Sequence, residues 1–192
     1  MDELVERVDA EDRVLGVVSR RDAVREGWLH RVAVTVCRDG RGRYLVHRRA
    51  EHLSRFPGHW ELGVGGAAAV GESYEQAAAR EFAEELGVRA AVRLRFTFLN
   101  RSGLSPHRLG VCDAVLSHAL TPDPAEVAAH TWLTGPELRR ALRQWTFTPD
   151  SRAVFARYRG DASAEERPSR GSAERGGGSE PDGHAAPSPP DA

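Results

Sequence analysis

The sequence predicts a single α/β domain over residues 1–159, followed by a disordered tail over 160–192. Three observations carry this. Short β-rich runs alternate with helical stretches along the first part of the chain. Within VAVTVCRDGRGRYLVHRR, two β-rich runs flank a Gly/Asp/Arg turn, which is a hairpin signal. From Gly160 onward the chain has no aromatic or β-branched residue and is dense in Gly, Pro, Ser, Ala and charge. Such a segment cannot bury enough apolar surface to offset the entropy of ordering it.

In chain order, ELVERVDAEDRVLGVVSR reads as two short strands around a polar turn, and SRRDAVREG as a short helical link. The hairpin follows. PGHWELGVGG is a turn and then one short strand. A helix begins at Tyr74, because Ser73 and Gln76 form a capping box, and it ends at Gly87. RLRFTFLN, HRLGVCDAVL and HTWLT are three further strands, and GPELRRALRQ is a helix. A last helix opens at Thr148-Pro149, with Thr as N-cap and Pro at its first position.

Composition excludes several function classes. The net charge is −1, so no basic field points to nucleic acid. All 27 basic side chains are arginines, which leaves only Arg and His as cations for a phosphate. Cys37 and Cys112 sit in apolar runs and read as buried small hydrophobes. No apolar run reaches the roughly 20 residues that span a bilayer, and the acidic start MDELVERVDAEDR is no signal peptide. A cytoplasmic protein is expected.

The helix from Tyr74 carries the chemistry. Tyr74, Ala78, Phe82 and Leu86 recur every four residues as an apolar stripe. Glu81, Glu84 and Glu85 fall within an arc of roughly 100° beside it. Arg80 reaches Glu84 at i+4, but one arginine cannot neutralise three carboxylates. Clustered oxygens of this kind suit a hard divalent cation, Mg²⁺ above others. Glu72 stands just before the cap, and Gly65-Gly66 lets backbone approach a ligand closely.

Gly66, Glu72 and the run Arg80-Glu81-Phe82-Ala83-Glu84-Glu85-Leu86-Gly87-Val88 together resemble the complete Nudix box, residues 66–88. The resemblance implies a Nudix fold, an α/β/α sandwich around a mixed sheet. It implies cleavage of a diphosphate bond in a nucleoside-diphosphate-linked small molecule, with Mg²⁺ or Mn²⁺. It assigns Glu81, Glu84 and Glu85 to the metal, with the Gly65 carbonyl as a further ligand. Arg80 would hold the glutamates, and Glu72 would brace the loop. It leaves a homodimer possible and expects neither nucleic acid nor membrane as partner.

WLHRVAVTV, YLVHRRA and FPGHWELGVGG also resemble isopentenyl-diphosphate isomerase, a Nudix relative. That enzyme needs a cysteine where this chain has Gly65 and a metal-binding histidine where it has Ala67. Its downstream metal glutamates fall near Arg108 and Gly110, and only His30 remains of its metal set. The VDAEDRVLG and FTPDS segments fit a hydrolase branch of the same layout. Hydrolysis is therefore expected, with isomerase chemistry or a non-catalytic nucleotide sensor as alternatives. Arg49 matches a diphosphate-contacting arginine of the isomerase, and Arg48 beside it is the other substrate-binding candidate; one should face the site and the other away from it. Arg55 is a weaker candidate. Glu126 is a candidate extra glutamate, His30 and Trp60 read as packed residues, and Arg139, Arg140 and Arg143 as a solvated helix face.

Overall fold

The computed structural model describes residues 2–117 and 119–165. Strands β1 (Leu4–Val8) and β2 (Val14–Ser19) pair as an antiparallel hairpin and lead into α1 (Arg20–Glu26), capped by Ser19. The main sheet holds β3 (Arg31–Asp39), β4 (Tyr44–Arg49), β5 (Trp60–Leu62), β6 (Val64–Ala67), β7 (Arg93–Asn100), β8 (His107–Leu116) and β9 (Val127–Leu133). Its order is β5-β4-β3-β8-β7, with β6 on β3 and β9 on β4. β3 and β8 run parallel while the other pairs are antiparallel, so the sheet is mixed.

Alternation along the central strands explains the layers. Ala33 and Cys37 of β3, with Cys112 and Leu116 of β8, face α2 (Tyr74–Leu86) and its Tyr74, Ala78, Phe82 and Leu86. Val36, Leu109 and Val111 point the other way. They pack under Leu138, Ala141 and Leu142 of α3 (Gly135–Gln144) and Val154 and Phe155 of α4 (Pro149–Glu165). Strands buried on both faces read as near-continuous apolar runs. The result is the expected α/β/α sandwich. Both cysteines are free and buried, which pushes their thiols up, Cys112 to about 12. Trp60 is core, its ring centroid 4.7 Å from that of Trp145.

Two boundaries differ from the sequence reading. WELGVGG forms two strands, because Gly63 has φ 92° and the Thr35 carbonyl oxygen lies 2.7 Å from where its Cβ would stand. The chain turns there from β4 onto β3. Helix α4 also continues past the composition change at Gly160 to Glu165, since helix hydrogen bonding does not need an apolar face. The rest of the expected tail, 166–192, lies outside the described residues. Among those described, no helix is long and apolar enough to cross a membrane.

Gly110 in β8 faces α2, where the Tyr74 ring occupies the volume of a Cβ. Gly110→Ala is expected to cost about 1–3 kcal/mol through overpacking. Thermal unfolding checks this; an unchanged melting temperature would show that Tyr74 moves freely.

Candidate active site

The Ser73–Gln76 capping box starts α2, and Gly87 closes it at φ 66°. This fixes the phase at which Glu81, Glu84 and Glu85 leave the helix. β6 runs beside β3, with Ala33 opposite Gly66 and Val34 opposite Gly65. Its glycines are required by contact. A Cβ on Gly66 would collide with the Glu81 carboxylate, and one on Gly65 with the Ala33 carbonyl oxygen.

Arg80 ties the loop to the helix. Its Nε donates to Glu72 Oε1 at 2.9 Å, and its Nη2 to Glu72 Oε2 and the Ala67 carbonyl, both at 3.0 Å. Nη1 donates to Glu81 Oε1 at 2.7 Å and Glu84 Oε2 at 3.4 Å. Glu72 in turn accepts from the Ala69 N–H at 2.8 Å. The Arg80 hydrogen bond holds the Glu72 carboxyl below its ordinary range against partial burial.

The three box glutamates differ in environment. Glu84 is 60% exposed, Glu81 16% and Glu85 13%. Burial raises Glu81, although Arg80 opposes it. Glu85 rises to about 9, from burial first and then from the charges of Glu61, Glu81 and Glu126. An acid held protonated among other acids is a site short of positive charge.

Two residues escaped the sequence reading. His47 on β4 is 1% exposed, and its Nε2 lies 3.2 Å from Glu61 Oε2 and 3.9 Å from Glu85 Oε2. Glu61 on β5 stands opposite His47 in register and accepts from Arg49 Nη1 at 3.2 Å. Burial would raise Glu61, but His47 and Arg49 outweigh it and hold it below the usual range. Period-two spacing was the available signal: His47 and Arg49 are two apart on β4, with Arg48 facing away.

Arg48 is corrected accordingly. It donates to Glu51 and, at 3.2 Å, to the Gly58 carbonyl, and it does not line the cleft. Arg49 does. A cleft of about 550 Å³ is lined by Glu81, Glu84, Glu85 and Glu126, with Gly65 and Gly66. Arg20, Arg49 and Arg55 line the same cleft. Arg20 comes from α1, far away in sequence, and its Nε is buried without a hydrogen-bond partner. Burial lowers Arg55, and Arg20 and Arg49 lower it further. Like charges gathered this way call for an anion.

The carboxylates do not yet converge: among the described residues, no three His, Cys, Asp or Glu side chains stand ready to hold a metal ion. Glu81 is instead held by Arg80. The donor set is nevertheless all-oxygen and over-acidic, which fits a hard divalent cation.

The fold and site define an α/β protein with a mixed sheet between helices and a cleft lined by both glutamates and arginines. The model of the NUDIX domain matches residues 28–158, and the chain belongs to the Nudix hydrolase family, whose members act on phosphorus-containing anhydrides and generally use divalent metal ions. An uncharacterised Nudix hydrolase of Streptomyces coelicolor is 38% identical over 161 residues, spanning 82% of this chain and 89% of that one. An isopentenyl-diphosphate Delta-isomerase of Nocardia farcinica is 38% identical over 145 residues, 72% of this chain and 83% of that one. Among solved structures, DR0079 from Deinococcus radiodurans superposes with a TM-score of 0.71 at 28% identity, covering 81% of this chain and 98% of that one.

Proposed function

We propose that the protein hydrolyses a phosphoanhydride bond in a diphosphate-containing small molecule, with Mg²⁺ as cofactor and Mn²⁺ as the alternative. The observation that carries this is the cleft itself, in which four glutamates and three arginines line the same space. Glu81, Glu84 and Glu85, with the Gly65 carbonyl, would hold the cation, and Glu126 stands beside them. When bound, a divalent ion lowers the pKa of a water and screens the diphosphate oxygens.

The chain's own residues supply the rest. Arg80 holds Glu81 and Glu84 from one side and fixes the loop through Glu72. Arg49 presents a guanidinium already oriented by Glu61 and the Arg55 carbonyl, so little entropy is lost on taking a phosphate. Arg20 and Arg55 extend that cationic wall.

The Nocardia relative raises isomerase chemistry as a second reading. Against it, the thiol and imidazole positions hold Gly65 and Ala67, and both cysteines of this chain are fully buried. That favours hydrolysis.

The test is Mg²⁺-dependent cleavage of nucleotide sugars, dinucleotides, nucleoside triphosphates and prenyl diphosphates, read by separating the phosphorylated products. Arg49→Ala is expected to raise KM about tenfold through a lost charge-assisted bond, and Arg48→Ala to leave it within about twofold, as for a surface pair. No cleavage of any substrate, or equal effects of the two variants, would sink the reading. Binding without cleavage would indicate a sensor.

A further inference from the structure

Beside the carboxylate cleft lies a second chamber of about 140 Å³, which shares Arg20, Arg49, Arg55, Gly65 and Gly66 with it. Val24, Phe56 and Leu104 give it apolar walls, while His30, His107 and Asp150 bring polar atoms. A chamber for hydrocarbon alone would not carry them.

The hydrogen bonds show which atoms are free. His107 Nδ1 donates to the Ser105 carbonyl at 2.9 Å, so the neutral ring has its lone pair at Nε2, 3.3 Å from Asn100 Nδ2. Asn100 Nδ2 also donates to Asp150 Oδ1 at 2.8 Å, and Ser102 Oγ lies 2.9 Å from that same oxygen. Asp150 Oδ2 faces His107 Nε2 only at 3.7 Å and accepts no hydrogen bond from the described residues. His30 donates Nδ1–H to the Trp28 carbonyl at 3.4 Å, and burial lowers its pKa to about 4. Its Nε2 is therefore a lone-pair acceptor at neutral pH. The network thus anchors Asp150 and leaves two acceptors, Asp150 Oδ2 and His30 Nε2, without internal donors.

We propose that this chamber takes the non-phosphate group of the substrate and selects a hydroxylated, sugar-type group over a hydrocarbon chain, with Asp150 as the specificity-determining residue. The proposal rests on the phosphoanhydride reading, because the arginines common to both linings would hold the phosphates where the two spaces adjoin. Free acceptors match hydroxyl donors, and the apolar walls cover the carbon face of a sugar. A hydrocarbon would leave the acceptors desolvated and unpaired, which rejects strongly.

Two five-carbon diphosphates test this: ribose 5-diphosphate and isopentenyl diphosphate, each assayed for phosphate release with Mg²⁺. The wild type is expected to favour the ribose compound by about tenfold or more in kcat/KM. Asp150→Asn keeps Oδ1 for Asn100 and puts an amide donor in place of Oδ2. It is expected to reduce the preference about tenfold, through KM. Equal use of the two compounds by the wild type, or an unchanged preference in a folded Asp150→Asn, would overturn the proposal. The wild-type comparison does not depend on the variant folding. If neither compound is cleaved, the wider substrate panel decides the phosphoanhydride reading separately. Calorimetric titration of both compounds then decides the chamber, with tighter ribose 5-diphosphate binding supporting it and equal affinities overturning it.

Discussion

Glu85→Gln is expected to lower kcat by about 10³-fold, roughly 4 kcal/mol of barrier, and also to raise the melting temperature of the metal-free protein at pH 8. The two effects share one cause. Glu85 lies at the wall of the cleft, where burial and the neighbouring Glu61, Glu81 and Glu126 push its pKa to about 9. The unfolded chain would ionise it near the ordinary 4.5. Between those values the folded state holds a proton that the unfolded state has lost, so stability falls as pH rises through this window. Glutamine removes the titration and, with it, a charge that a divalent cation would use.

In EDTA, therefore, the melting curves of wild type and Glu85→Gln should meet near pH 4.5 and separate by pH 8, with the variant higher. Added Mg²⁺ should raise the wild type at pH 8 and the variant much less, because a ligand that binds only the folded state stabilises it. A wild-type melting temperature that is flat from pH 5 to 9 in EDTA would contradict the buried, over-acidic site. A variant retaining activity within a few-fold would remove Glu85 from the chemistry.

Arg80→Ala should be the most destabilising change among the charged residues of the site, about 2–4 kcal/mol, or roughly 5–15 °C in melting temperature. Arg80 binds Glu72 twice, Glu81, Glu84 and the Ala67 carbonyl. Its removal leaves Glu72 and Glu81 as partly buried carboxylates without a counter-charge. The Ala69–Glu72 turn then loses the brace that holds β6 against α2. Arg80→Lys should recover less than half of the loss, since an ammonium cannot present the guanidinium fork to Glu72 and the Ala67 carbonyl together. Urea unfolding of the three proteins measures this. Equal stability of Arg80→Lys and wild type would mean that charge alone, and not the fork, does the holding.

Much of this protein was legible along the chain because its signals are local. The Ser73–Gln76 box, the Gly87 cap and the four-residue apolar stripe fix where α2 starts, stops and faces. The box glutamates follow from that phase. Cys37 and Cys112 were readable as core from their apolar neighbours. By contrast, the Thr134–Glu137 capping box of α3 is local and was still overlooked. The break at Gly63 depends on Thr35 of another strand, so a single-strand reading of WELGVGG had nothing to correct it.

The sequence by itself determined the family and the α/β/α fold, through the resemblance of residues 66–88 to the Nudix box, and the phase of Glu81, Glu84 and Glu85, through spacing within one helix. Only the tertiary structure decided which of Arg48 and Arg49 turns to the cleft. It also brought His47 and Glu61 to Glu85, and Arg20 from the N-terminal helix to the same cleft. The physical reason is that charge coupling depends on distance through space and on burial, and neither is carried by position along the chain. Burial first, and then the charges of Glu61, Glu81 and Glu126, push Glu85 up to about 9, so the box alone does not set it.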